Sequence, residues 1–147
     1  MNVHLTRTRA TLTAVGLLLA VGAPAAYATL DDGTSQRGEP YIETSLFFGT
    51  ERPDGGPAVT DKQFTRFVDQ EVTPDFPDGL TVQNGRGQWR DASGTIEKER
   101  SYELILLYPV AQAGASDRKI EEIRRAYEKA FGQEAVGRVD DRARVSF

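Results

Sequence analysis

The segment Leu104–Tyr108 (LILLY) constrains this chain more than any other. Five consecutive apolar residues close on Pro109, and a continuous apolar run of this kind reads as a strand covered on both faces. Leu46-Phe47-Phe48 is a shorter run of the same character. Both segments therefore belong in the middle of a sheet, and each needs a cover on either side.

The rest of the chain supplies the layers. Tyr41–Phe48 alternates, with Ile42, Leu46 and Phe48 on one face and Tyr41, Glu43, Ser45 and Phe47 on the other. Glu51–Pro57 is turn material. Thr60-Asp61-Lys62-Gln63 is a capping box that opens a helix. Phe64, Phe67, Val68 and Val72 then share one helical face, and Pro74 ends the helix at Thr73. Leu80–Arg90 and Ile96–Tyr108 read as strands joined by the turn Asp91–Thr95, with Gly94 free to take positive φ. A second helix is expected after Ser116 as N-cap, with Asp117 in its first turn. Its apolar face is Ile120, Ile123, Tyr127, Ala130 and Phe131, Glu121 and Arg125 form an i,i+4 pair, and Gly132 closes it. Ala135–Phe147 reads as a last strand, with Val139, Ala143, Val145 and Phe147 on one face and Arg138, Asp140, Arg142 and Arg144 on a solvated one.

The order β-α-β-β-α-β predicts an α+β, ferredoxin-like split fold. Two helices cover one face of a four-stranded antiparallel sheet. The two apolar runs fall on its central strands, so the second face asks for a cover, such as a second copy pressed sheet to sheet or a bound apolar ligand.

Residues 1–28 have the form of a secretory signal peptide: Arg7 and Arg9, an apolar stretch from Ala10 to Gly22, and Ala26-Tyr27-Ala28 before the expected cut. Residues 29–39 then form a polar linker and 40–147 a single domain. No Cys follows the apolar stretch, so a lipid anchor at Cys is excluded. The expected protein is exported, periplasmic or extracellular, with no membrane span after cleavage. The mature chain has 119 residues, 16 basic and 22 acidic. An acidic chain without a basic tail is a poor match for nucleic acid. Cleavage also removes His4 and Met1, the sole His and Met, and the chain has no Cys. Nucleophiles activated by His and metal sites built on imidazole or sulfur are thereby excluded. No metal and no cofactor is expected. The groups left for chemistry are carboxylates, Arg, Lys, Tyr, Ser and Thr.

Gly85-Arg86-Gly87-Gln88-Trp89 stands out within its strand. One reading is a bulge that aims Arg86 and Trp89 at a ligand, with Gln88 beside them. The other is a twisted hairpin with Arg86 solvated and Trp89 packed on a helix. Arg52-Pro53-Asp54-Gly55-Gly56 and Pro77-Asp78-Gly79 read as turns, and Asp75 with Asp78 lacks the spacing of a calcium loop. Glu43, Tyr102 and Glu103 are placed on the open sheet face, where paired carboxylates beside a Tyr can do acid–base work.

With these segments laid out, the chain resembles a bacterial family catalogued as domain of unknown function 3574. The resemblance spans Glu43–Phe147 and rests on ETSLFFG (43–49), RPDGG (52–56), VTPDFPDGLTV (72–82), GRGQWR (85–90), RRAYEKAFGQEAV (124–136) and VSF (145–147). It implies an exported single-domain protein and makes the GRGQW segment a stronger site candidate; it implies no activity. The expected function is a ligand-binding or interaction module acting as a homodimer through its open sheet face. Arg86, Gln88 and Trp89 supply contacts, and an unknown small molecule or envelope protein is the partner. The alternative is an extracytoplasmic enzyme using carboxylate, Tyr and Arg.

Overall fold

The computed structural model describes residues 37–90 and 93–147. The expected leader and residues 29–36 of the expected linker lie outside the described residues. The elements are β1 (Glu39–Gly49), α1 (Asp61–Phe67) running into a π-helical turn (Val68–Val72), β2 (Leu80–Arg90), β3 (Ile96–Pro109), a 3₁₀ turn (Val110–Gln112), α2 (Ala113–Phe131) and β4 (Gly137–Val145). The sheet order is β2-β3-β1-β4, with every neighbouring pair antiparallel. This is the α+β split fold expected from the order of elements, with β1 and β3 at the centre.

The core lies between the sheet and both helices. Leu46 and Phe48 of β1 and Tyr102, Leu104, Leu106 and Tyr108 of β3 are buried on one face. Phe64 and Phe67 come from α1, and Ile120, Ile123, Tyr127 and Phe131 from α2. Tyr127 holds the layers together: its ring lies 4.7 Å from Phe48 and 5.1 Å from Phe67, and its hydroxyl donates to the Gly49 carbonyl at 2.8 Å. Phe64 stacks on Tyr102 at 3.9 Å. Each such aromatic pair adds about 0.5–1.5 kcal/mol beyond the area it buries. The Thr60 box forms as expected, with its hydroxyl taking the Gln63 N–H and the Gln63 side chain returning to the Thr60 N–H. The π-helical turn puts Val68 and Val72 on the buried side along with Phe64 and Phe67.

Four local expectations are corrected. The second helix starts at Ala113, not after Ser116. The 3₁₀ turn from Pro109 carries the chain straight into it, no side chain caps it, and Ser116 is buried inside it. Asp117 consequently sits beyond the first turn. Glu121 pairs with Arg124 and Arg138 rather than Arg125, and Ala126, not Ala130, packs on the core. On β4, Asp140, Arg142 and Arg144 are exposed, as expected of a solvated edge strand, and the correction falls on Arg138, which is half-buried. Arg138, Asp140 and Arg142 stand opposite Leu46, Thr44 and Ile42 on the helix side, where Arg138 reaches Asp117 and Glu121 of α2. Val139, Ala143 and Val145 line the open face. An edge strand beyond the reach of the apolar helix stripe has no core on its helix side, so long polar side chains fill that space.

Candidate functional site

Strand register decides where the expected site residues go, because directly opposed residues project from the same face. Arg86 and Gln88 oppose Arg100 and Lys98 on the helix side, whereas Trp89 opposes Glu97 on the open side. The three therefore do not form one cluster. Trp89 is 56% exposed and does not pack on a helix. The β2–β3 register runs unbroken from Leu80 to Arg90, so the glycines mark no bulge. They make room for their neighbours: a Cβ at Gly85 would meet Ser101 Oγ at 2.7 Å, and one at Gly87 would meet Glu99 Cγ at 3.0 Å. Glu99 uses that room to accept the backbone N–H groups of Thr50 and Glu51 at 2.7 and 2.9 Å. Glu43 and Glu103 do lie on the open face, and Glu103 accepts from Ser45 at 2.8 Å. Tyr102 does not join them; it is buried on the helix side under Phe64.

Tyr102 belongs instead to a trio with Asp61 and Arg100. Its hydroxyl and the Arg100 guanidinium both donate to Asp61 Oδ1, and Arg100 also holds the Val59 carbonyl at 2.8 Å. The Tyr102 and Arg100 hydrogen bonds keep the Asp61 carboxyl below its ordinary range. Burial, then the bond to Asp61, pushes the Tyr102 hydroxyl up. Both directions move these groups away from neutrality. The trio locks the start of α1 to β3.

One concavity, of about 560 Å³, is lined by Arg86 and Gln88 with Lys98, Glu99 and Arg100 on the hairpin; another lies at the other end of β3. The first β2 residue, Leu80, stands opposite Leu106, so β3 runs on through Leu107, Tyr108 and Pro109 with no β2 residue facing them. This missing corner of the sheet is a notch of about 520 Å³. The loop Asp75–Gly79 and the start of α2 wall it on the helix side, and Tyr41 with Phe147 flank it on the open side. Its rings come in pairs: Phe76 lies 6.2 Å from Tyr108, and Tyr41 6.0 Å from Phe147. Lys119 donates to the Asp75 carbonyl at 2.9 Å, sits 3.6 Å from the Asp75 carboxylate and lies 5.8 Å from the Phe76 ring centroid. Asp78 also lines the notch and has no ion pair or hydrogen bond among the described residues.

The Tyr108 wall is held from behind. Thr44 donates to the Asp140 carboxylate at 2.5 Å and lies 2.8 Å from the Tyr108 hydroxyl. A hydroxyl has one proton, so Tyr108 must be the donor to Thr44. Asp140 is then met by Arg138, which also joins Asp117 and Glu121. Burial presses the Arg138 guanidinium down, but its three carboxylate partners outweigh that and raise it overall. Among the described residues no group of three or more His, Cys, Asp or Glu gathers to hold a metal, and no helix is long and apolar enough to cross a membrane.

None of the expected site residues lines the notch. Its members read as turn or core residues in the sequence: Pro77-Asp78-Gly79 does make a turn, with Gly79 at φ 134°, and that turn is also a wall. The usable signal was the short polar loop placed directly before an edge strand and beside an aromatic-rich strand end.

Comparison with known proteins bears on fold and family. Residues 43–147 match the family described as Protein of unknown function (DUF3574). Among curated proteins none matches. A phage SAM lyase in complex with S-methyl-5'-thioadenosine has a similar fold, with TM-score 0.54 and 15% identity over 78% of this chain and 95% of that one. A phage SAM lyase in its apo state is similar at TM-score 0.50 and 15% identity, over 69% and 79% of the two chains.

Proposed function

The chain belongs to the DUF3574 family, and for it we propose a small-molecule-binding role seated in the notch at the end of β3. The carrying observation is a cavity of about 520 Å³, lined by aromatic rings, with the carboxylate of Asp78 left unneutralised among the described residues. Ligand pockets fall at ~300–1,000 Å³ and combine apolar walls with a few polar groups. The ligand that fits this chemistry has a flat apolar portion for Phe76 and Tyr108 and a cationic or hydroxyl-bearing end for Asp78. Lys119, held over Phe76 and against Asp75, fixes the wall rather than presenting a free charge. The signal-peptide form of residues 1–28 supports binding outside the cytoplasm, after export.

S-methyl-5'-thioadenosine, which the similar phage lyase holds, has a flat base and a hydroxylated sugar and is the first probe. Isothermal titration of the mature protein should give saturable binding that Asp78→Ala and Phe76→Ala each weaken about tenfold or more. Native mass spectrometry of protein recovered from its source should show a bound small molecule. A bare protein that also gives no heat with the probe refutes the reading.

The same likeness of fold favours a second reading, an enzyme acting on an adenosyl compound. Incubation with S-adenosylmethionine, followed by chromatography for thioadenosine products, decides it. The trio Asp61–Tyr102–Arg100 does not line the notch.

A further inference from the structure

The four strands sort their charges by face. Glu39, Glu43, Glu97, Glu99, Glu103 and Asp141 project from the open face, while every Lys and Arg of the strands lies on the helix side with Asp140. The open face is thus acidic and apolar together, with Tyr41, Phe47, Ile105, Leu107 and Val139 among the carboxylates. Glu43 stands directly opposite Asp141. Like charges so placed repel, and neither has an ion-pair or hydrogen-bond partner among the described residues.

The complementary surface is on the same molecule. On the helix side of the outer β2–β3 hairpin, Arg86, Arg90 and Lys98 are exposed and unpartnered among the described residues. Ile96 opposes Arg90 on that side and is 50% exposed.

We propose that this hairpin arm docks on the open sheet face of a second copy of the chain. Arg86, Arg90 and Lys98 of one copy meet Glu43 and Asp141 of the next, and Ile96 packs among the apolar residues of that face. The symmetric face-to-face dimer expected from the apolar strands would instead set carboxylates against carboxylates. Arm-to-face docking joins two unlike surfaces, so it closes as a reciprocal dimer or a ring, or runs on as an open chain.

Sedimentation velocity of the mature protein tests this. Association should grow with protein concentration at low salt and vanish near 1 M salt, where the screening length is about 3 Å. Arg86→Glu with Arg90→Glu should weaken it about 100-fold or more, as should Glu43→Lys with Asp141→Lys. Circular dichroism checks that each variant folds. An equimolar mixture of the two variants restores association, because the intact arm of one meets the intact face of the other and the two reversed surfaces also match. A monomer at every concentration in low salt overturns the proposal. So does association that survives either reversal, or a mixture of folded variants that stays monomeric.

Discussion

Replacing Thr44 with Val keeps the shape of a fully buried residue and deletes one hydroxyl. The hydroxyl serves two partners, taking the Tyr108 proton at 2.8 Å and giving its own to Asp140 at 2.5 Å. Asp140 keeps Arg138, and its side chain is 43% exposed, so water replaces much of what it loses. Tyr108 is only 4% exposed, and its orphaned hydroxyl carries the full desolvation cost of about 1–3 kcal/mol. With the lost carboxylate bond the total is about 2–3 kcal/mol. At ~4–8 °C per kcal/mol for a domain near this size, the midpoint of thermal unfolding should fall by about 8–24 °C. Tyr108→Phe alone should cost about 1 kcal/mol, because Thr44 still has Asp140. In the double variant no buried donor is left unpaired, so it should be more stable than the sum of the single losses by about 1 kcal/mol or more. Urea unfolding followed by circular dichroism gives the four free energies. A Thr44→Val loss under about 0.5 kcal/mol, within the range of an ordinary surface change, or strict additivity, would refute the buried relay behind the notch wall.

Arg138→Ala should cost about 2 kcal/mol in the same unfolding assay, because it leaves Asp117, Glu121 and Asp140 crowded without their shared cation. Glu121 is held below its ordinary value of 4.5 by Arg124 and then Arg138. Its contribution is present above that value and lost as pH falls through the lower folded one, so Glu121→Gln should flatten the stability profile below about pH 4.5. Tyr127→Phe removes the donor to the Gly49 carbonyl at 2.8 Å and should lower stability by about 1 kcal/mol with little change in the aromatic core, read by near-ultraviolet circular dichroism.

The layers were legible because their signals are local. The Thr60 box, Gly94 and Gly132 each dictate backbone conformation within a few residues, and the apolar runs placed β1 and β3 at the centre; Pro74 does not keep Thr73 out of helical backbone, φ -58° and ψ -37°. Ser116 misled because N-cap preference says nothing of burial: Pro109 and the 3₁₀ turn start the helix earlier and sink Ser116 under it. Arg138 misled because alternation alone does not say which side holds the helices, and here it finds its partners on α2. The same period of two that makes a strand divides the candidates, leaving Arg86 and Gln88 together on the helix side and Trp89 on the open side. The notch was not legible at all, since it exists through an offset, β2 beginning three residues short of the end of β3, and an offset between strands is a long-range quantity.

The sorting of strand charges has a consequence for how the molecule meets any charged boundary. Seven acidic and seven basic residues balance between the two helices with the π-helical turn, so the helix layer does not cancel the separation across the sheet. The strands thus carry an electric dipole directed across the sheet. In the field of a surface the molecule turns before it binds, and its orientation, not its net charge of -4, decides whether it is held or repelled. An anionic matrix therefore sees the hairpin side of this protein and a cationic one sees the bare sheet.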